Sequence, residues 1–197
     1  MTTAKRLCLC FCAITALCTV HSNAQSSTKT PMPADAVSPA PRDGQHDFDF
    51  EFGKWNTHVS MLAHPLTGSK TWVDYTGITV DHKIWNGVAN LVELDMKNAS
   101  SHLMLASLRL YNPATHQWGL YVVNSRSGTL GTPTLGGFAH GRGVFYDKET
   151  WDGKPIVVRF VITPRSADAI HFEQAFSADE GKTWETNWIA DDTRIAQ

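Results

Sequence analysis

PIVVRFVITPRSADAIHFEQAFSADEGKTWETNWIA, residues 155–190, consists of three apolar runs separated by two clusters of turn-forming residues. The runs PIVVRFVIT, AIHFEQAFS and WETNWIA are rich in β-branched and aromatic residues with period two. PRSAD and ADEGK carry the Pro, Ser, Asp and Gly chemistry of tight turns, so the stretch reads as three antiparallel strands. Pairing outward from the first turn sets Phe160 against Phe172, Ile162 against Ile170 and Arg159 against Glu173. Across the second turn it sets Phe176 against Trp184, Gln174 against Thr186 and Phe172 against Trp188. One face is then apolar and the other carries an ion pair.

The same pattern recurs upstream in KWNTHVSML, KTWVDYTGITV, ANLVELDM, HLMLASLRLY, QWGLYVVN and GVFYD, with NG, NPATH, SRSG and DGKP between them. Eight to ten antiparallel strands in meander order close most simply into an up-and-down barrel, with a sandwich as the competing all-β solution. Ser177 to Trp184, SADEGKTW, has the spacing of the Asp-box of sialidase propellers. A propeller repeats the box from blade to blade, whereas this chain of 197 residues carries it once, so it reads as a hairpin turn.

Outside the strands, residues 1–24 combine a basic start, the apolar run LCLCFCAITALCTV and a small-residue site ending at Ala24, the anatomy of a secretory signal peptide. A secreted or periplasmic mature chain is expected, with no transmembrane segment. All four cysteines, at positions 8, 10, 12 and 18, lie in that run, so the mature protein is expected to lack disulfides and thiol chemistry. Residues 25–45 are dense in Pro, Ser, Thr and Ala and read as a disordered tether. Residues 46–197 remain for a single domain. The formal charge of −2 and the lack of a basic run speak against nucleic acid as a partner.

Hairpin arithmetic locates candidate site residues. At NPATH it pairs Leu110 with Trp118, Leu108 with Leu120, Ala106 with Val122 and Met104 with Asn124. At KNASS it pairs Leu94 with Met104 and Val92 with Ala106, which leaves Asn90 on the same side. The interior so assigned is apolar except for Asn90, Asn124, Gln174 and Thr186, the composition of a small-molecule cavity. Each amide also has an ordinary reading as partner to a neighbouring side chain or a buried water. TLGTPTLGGFAHGRGVFYD, residues 129–147, holds more glycine than packing requires. Taken as one strand it turns Phe138, His140, Arg142, Val144 and Tyr146 inward, and a slip of one residue turns all five outward. Arg142 would hold an anionic head group and His140 would carry a proton or ligate a metal or haem iron.

HDFDFEF, residues 46–52, places Asp47, Asp49 and Glu51 on one side if extended, which reads as a solvated acidic face. The domain histidines show no zinc spacing, and no G-x-S-x-G elbow or P-loop is present, so the sequence requires no metal or cofactor.

HDFDFEFGKW, NSRSGTLGTPTLGGFAHGRGVFYD and FEQAFSADEGKTWETNWIADDTR resemble the DUF1579 family of secreted bacterial proteins, whose function is uncharacterised. Gly53-Lys54-Trp55 also looks like the G-x-W that opens the first strand of lipocalins and other calycins. That resemblance implies a barrel floor closed by Trp55 under an arginine from the last strand, here Arg194. A barrel binding a small, mostly apolar or amphipathic molecule with a polar or anionic end is the favoured reading, with Asn90, Asn124, His140, Arg142, Tyr146, Gln174, Trp184 and Trp188 as ligand-binding candidates. The alternatives are a cofactor-free lyase, isomerase or hydrolase using His140 and Arg142, and an interaction module with a filled barrel. A haem-binding variant, suggested by nitrobindin-like calycins, requires His140 or His171 inside.

Overall fold

The structure, a computed structural model, describes residues 42–196. The expected signal peptide of residues 1–24 and the expected tether up to residue 41 lie outside the described residues. Ten antiparallel strands follow one another around a closed barrel: β1 (Gly53–Leu62), β2 (Trp72–Ile84), β3 (Ala89–Lys97), β4 (His102–Asn112), β5 (Gln117–Asn124), β6 (Thr134–Ala139), β7 (Arg142–Trp151), β8 (Lys154–Ser166), β9 (Ala169–Ser177) and β10 (Glu185–Arg194), with β1 pairing both β2 and β10. The meander barrel is calycin-like, and closure removes the sheet edges that an open set of strands would expose. No helix among the described residues is long and apolar enough to cross a membrane.

The floor is built as the G-x-W resemblance implies. Trp55 is fully buried, and the Arg194 guanidinium lies 3.9 Å from the centre of its ring. Arg194 also donates to the carbonyls of Phe50 at 2.6 Å, Phe52 at 2.9 Å and Ala167 at 2.9 Å. One side chain thereby ties the chain entering the barrel to the β8–β9 turn. Arg194→Ala removes these charge-assisted bonds and the cation–π contact, and is expected to cost about 2–4 kcal/mol. A melting temperature lowered by roughly 5–12 °C in calorimetry is the corresponding result, and an unchanged one would discard this account of the floor.

Residues 44–51 are not extended. Successive bonds from Asp47 to Gly44, Asp49 to His46 and Glu51 to Phe48 wind them into tight turns. Three residues per turn bring Phe48 and Glu51 to one side, and both enter the barrel end. Phe48 packs edge-on to Trp118 at 4.9 Å and Phe138 at 5.1 Å. Gly44 is bonded on both sides, by Tyr111 Oη accepting its N–H and by Trp118 Nε1 donating to its carbonyl, so the chain already docks on the barrel at a point the sequence assigns to the tether.

Register departs from the hairpin arithmetic at five places. At the β3–β4 turn Leu94 faces Leu105 and Val92 faces Ser107, not Met104 and Ala106. At the β4–β5 turn Tyr111, not Leu110, faces Trp118; Arg109, Ser107 and Leu105 therefore point inward in place of Leu108, Ala106 and Met104. Irregularities at Pro164/Ser166 and Thr186/Trp188 move the later pairings, giving Phe160 with Gln174, Gln174 with Trp188 and Phe172 with Ala190. Arg159 faces Ala175 rather than Glu173, and Thr186 joins Ala175 on the outer side.

The fifth difference is the glycine-rich stretch, which is a hairpin and not one strand. His140 and Gly141 form its two-residue turn with φ of 52° and 75°, as a primed turn requires, and Ala139 pairs with Arg142. A two-residue turn shifts the phase of the returning strand, so Gly143 and Phe145 join Phe138 on the inner face and Arg142, Val144 and Tyr146 turn outward. Gly136 answers to close approach: a Cβ there would lie 2.0 Å from the Val144 carbonyl oxygen.

Candidate functional site

The barrel interior divides into two unlike halves. Toward β5–β9 and the floor, Phe48, Trp55, Trp118, Phe145, Phe160, Ile162 and their neighbours form a cluster of buried side chains. On the β1–β4 and β10 side, Val59, Met96 and Ala190 are buried, but Met61, Tyr75, Leu94, Leu103, Leu105, Phe172 and Trp188 are only partly so. Register puts all of these on the inner face. Apolar side chains on the inside of a closed barrel lose their solvent contact when they are packed to interior density, so solvent reaches this half.

The ladder of the wall is shortest next to it. The β5–β6 ladder comprises Trp118 with Gly136, Gly119 with Leu135 and Leu120 with Thr134. β5 continues beside β4 to Asn124, and β7 continues beside β8 to Trp151. Past Leu120 the gap between β5 and β7 is spanned by residues 125–133, held at one end by the Ser125 N–H on the Met104 carbonyl and at the other by Thr132 Oγ1 on Asp147. Val122, an inward residue beside this gap, is 40% exposed.

Below this region lies a buried polar group. Arg109 meets Glu51 in a two-pronged ion pair of 2.6 and 3.0 Å, and its guanidinium also lies 4.5 Å from the Phe48 ring centre. Burial works to lower the Arg109 pKa, but Glu51, Asp81 and Asp192 outweigh it and hold the pKa above its usual value. Thr57 donates to Asp192 and lies 2.6 Å from Thr79 through their hydroxyls. Burial, with the Glu51 charge acting in the same direction, pushes Asp81 up to about 7; burial, opposed by the Thr57 bond, pushes Asp192 up to about 6. Asp81 is 4% exposed with both carboxylate oxygens unpartnered, Asn90 is 0% exposed with its whole amide unpartnered, and the Ser107 hydroxyl likewise has no partner.

The sequence candidates divide accordingly. Asn90 faces inward beside Arg109, and Gln174 and Trp188 face each other across β9 and β10 on the inner side. Gln174 donates to Asn187, an inward residue of the β10 irregularity that even spacing does not reveal. Asn124 closes β5 opposite Leu105; its side chain is outside what the structure describes. His140 and Arg142 are exposed at the β6–β7 hairpin, away from the interior, because of its two-residue turn. Tyr146 is 47% exposed on the outer face, 6.1 Å from the Trp184 ring, which Arg159 covers at 4.3 Å. The turn containing Trp184 is held by Asp179, which accepts from the Thr183 N–H at 2.8 Å and the Thr183 hydroxyl at 2.7 Å.

Histidines engage outer-face carboxylates instead: His82 with Glu93, His102 with Asp95, and His171 with both Asp191 and Glu173. With His140 on a turn and His171 in that outer pairing, neither residue supplies an axial ligand to a haem in the barrel.

No family model matches the chain, and no curated protein matches it. Solved structures that share its fold include the following two. The S-type phycobiliprotein lyase CpeS from Guillardia theta aligns with a TM-score of 0.54 at 10% identity, over 79% of this chain and 94% of that one. Rv2717c from M. tuberculosis aligns with a TM-score of 0.53 at 10% identity, over 79% of this chain and 99% of that one. At such identity the likeness is one of architecture, that of a lipocalin-like barrel.

Proposed function

We propose that this protein binds a small, mostly apolar molecule in the β1–β4 side of its barrel, admitted through the gap between β5 and β7. The observation that carries the reading is the set of inward apolar side chains, from Met61 to Trp188, that keep solvent contact inside a closed barrel. The basic start and apolar run of residues 1–24 support a secreted or periplasmic setting, and the three stretches that resemble DUF1579 belong to the same reading. Arg142, on the outer surface, no longer supplies a reason for an anionic head group in the barrel.

Uptake of the neutral fluorophore N-phenyl-1-naphthylamine tests this proposal. A saturable emission increase with one site per chain is expected. Val122→Trp, which fills the inner face beside the gap, is expected to weaken uptake roughly tenfold while leaving the melting temperature within a few degrees. Absence of saturable uptake by the unaltered protein would remove the reading in favour of a filled barrel.

A further inference from the structure

Val92 on β3 stands at the centre of the unpartnered polar groups. Asp81 of β2 is its direct neighbour on one side and Ser107 of β4 on the other, while Asn90 lies two residues away on the same face of β3. The inner surface of the barrel is concave, so these three side chains surround the space above Val92. Ser107 in turn faces Val122 across β4 and β5. Val122, Ser107, Val92 and Asp81 are therefore one cross-strand row, leading from the gap in the wall to a buried carboxylate. Three strand spacings of about 4.8 Å separate its ends.

Charge determines what can sit at the inner end. Three inward carboxylates, Glu51, Asp81 and Asp192, share this region with the Arg109 guanidinium, while Lys83 and Arg194, in phase on the same strands, turn to the Phe52 and Trp55 rings. The two-pronged bond of Arg109 goes to Glu51, which leaves Asp81 without a cation and without a hydrogen-bond donor. A buried carboxylate in that condition is costly unless a cationic donor completes it. Ser107 Oγ and Asn90 Oδ1 add two neutral acceptors, and Asn90 Nδ2 beside them is an unpartnered donor. An ammonium group presents three donors and one positive charge, which matches three acceptors of which one is charged. A hydroxyl supplies one donor and leaves the charge, and a carboxylate adds repulsion.

Resting on the binding reading above, we infer that the barrel takes an aliphatic amine, its ammonium held by Asp81, Asn90 and Ser107 and its tail lying along Val92 toward Val122. Decylamine, decanol and decanoate titrated calorimetrically into the full chain separate the possibilities. Decylamine is expected to bind roughly tenfold more tightly than decanol, and decanoate more weakly than either. Asp81→Asn keeps the shape of the side chain, and is expected to reduce decylamine to the affinity of decanol while leaving decanol unchanged. Ser107→Ala, a second and milder variant, is expected to weaken decylamine several-fold. Equal binding of the three compounds, or an amine preference that persists in Asp81→Asn, would overturn the amine assignment and leave the apolar barrel standing. Uptake of the neutral fluorophore with no binding of decylamine would do the same. Failure of the fluorophore and of all three compounds would overturn both.

Discussion

Arg109→Met is expected to lower the unfolding free energy by about 3–5 kcal/mol, the usual consequence of removing one partner from a buried ion pair. The residue is nearly inaccessible, and its loss removes the ion-pair partner of Glu51 and the positive charge acting on Asp81 and Asp192. Methionine retains much of the side-chain volume, so the effect reports charge more than a cavity. Urea unfolding measures it, with a midpoint lowered by roughly 1–3 M. The double variant Arg109→Met/Glu51→Leu is expected to recover part of the loss, because an uncompensated charge is removed with its partner. A cost below 1 kcal/mol, or a double variant no better than the single one, would show that the ion pair does not hold residues 42–52 in the barrel end.

The second large effect concerns pH. Asp81 at about 7 and Asp192 at about 6 bind protons more tightly in the folded protein than their ordinary carboxylate value of 3.8 would allow. The unfolded chain releases these protons near pH 4 and the folded chain only nearer neutrality, so stability falls as pH rises between those limits. Asp81 alone accounts for a fall on the order of 3–4 kcal/mol between pH 4 and pH 8. Asp179 acts with the opposite sign and in another window. Its pKa, drawn down to about 2 by the bonds from Thr183 and Ser177, contributes stability that is lost only as pH falls below 4. Asp81→Asn is expected to be more stable than the unaltered protein at pH 8 and to keep only the shallower slope of Asp192. Parallel pH profiles for the two proteins would refute the assignment. An alkylammonium bound at Asp81 would flatten the unaltered protein's slope in the same way, by favouring the ionised carboxylate.

Both effects arise from residues that strand reading treats poorly. Arg109 lies in HLMLASLRLY, where Leu108 and Leu110 are the stronger apolar positions, and alternation alone turns the arginine outward. The β4–β5 turn reverses that choice by pairing Tyr111 with Trp118. Glu51 reads as one of three exposed carboxylates because HDFDFEF alternates like a strand. Its turns have period three, which selects Phe48 and Glu51 for the interior. A sequence signal existed for the hairpin at His140–Gly141, since His-Gly between two alternating runs fits a two-residue turn, and reading it turns Arg142 and Tyr146 outward.

By itself the sequence determined the all-β class, the meander order, the floor of Trp55 and Arg194, and the inward direction of Asn90, Gln174 and Trp188. Apart from the floor, which the G-x-W resemblance to calycins implies, these follow from period-two patterning and turn signals, which act within a hairpin. Only the tertiary structure decided which polar groups meet. Glu51, Asp81, Asn90, Ser107, Arg109 and Asp192 come from five separate segments, and their registers depend on single-residue shifts at turns and irregularities. Because side chains alternate with period two, one such shift moves a whole strand's set to the opposite face. The solvent contact of one half of the barrel interior has the same origin, since whether inward side chains meet across the lumen depends on the closure of all ten strands and not on any one of them.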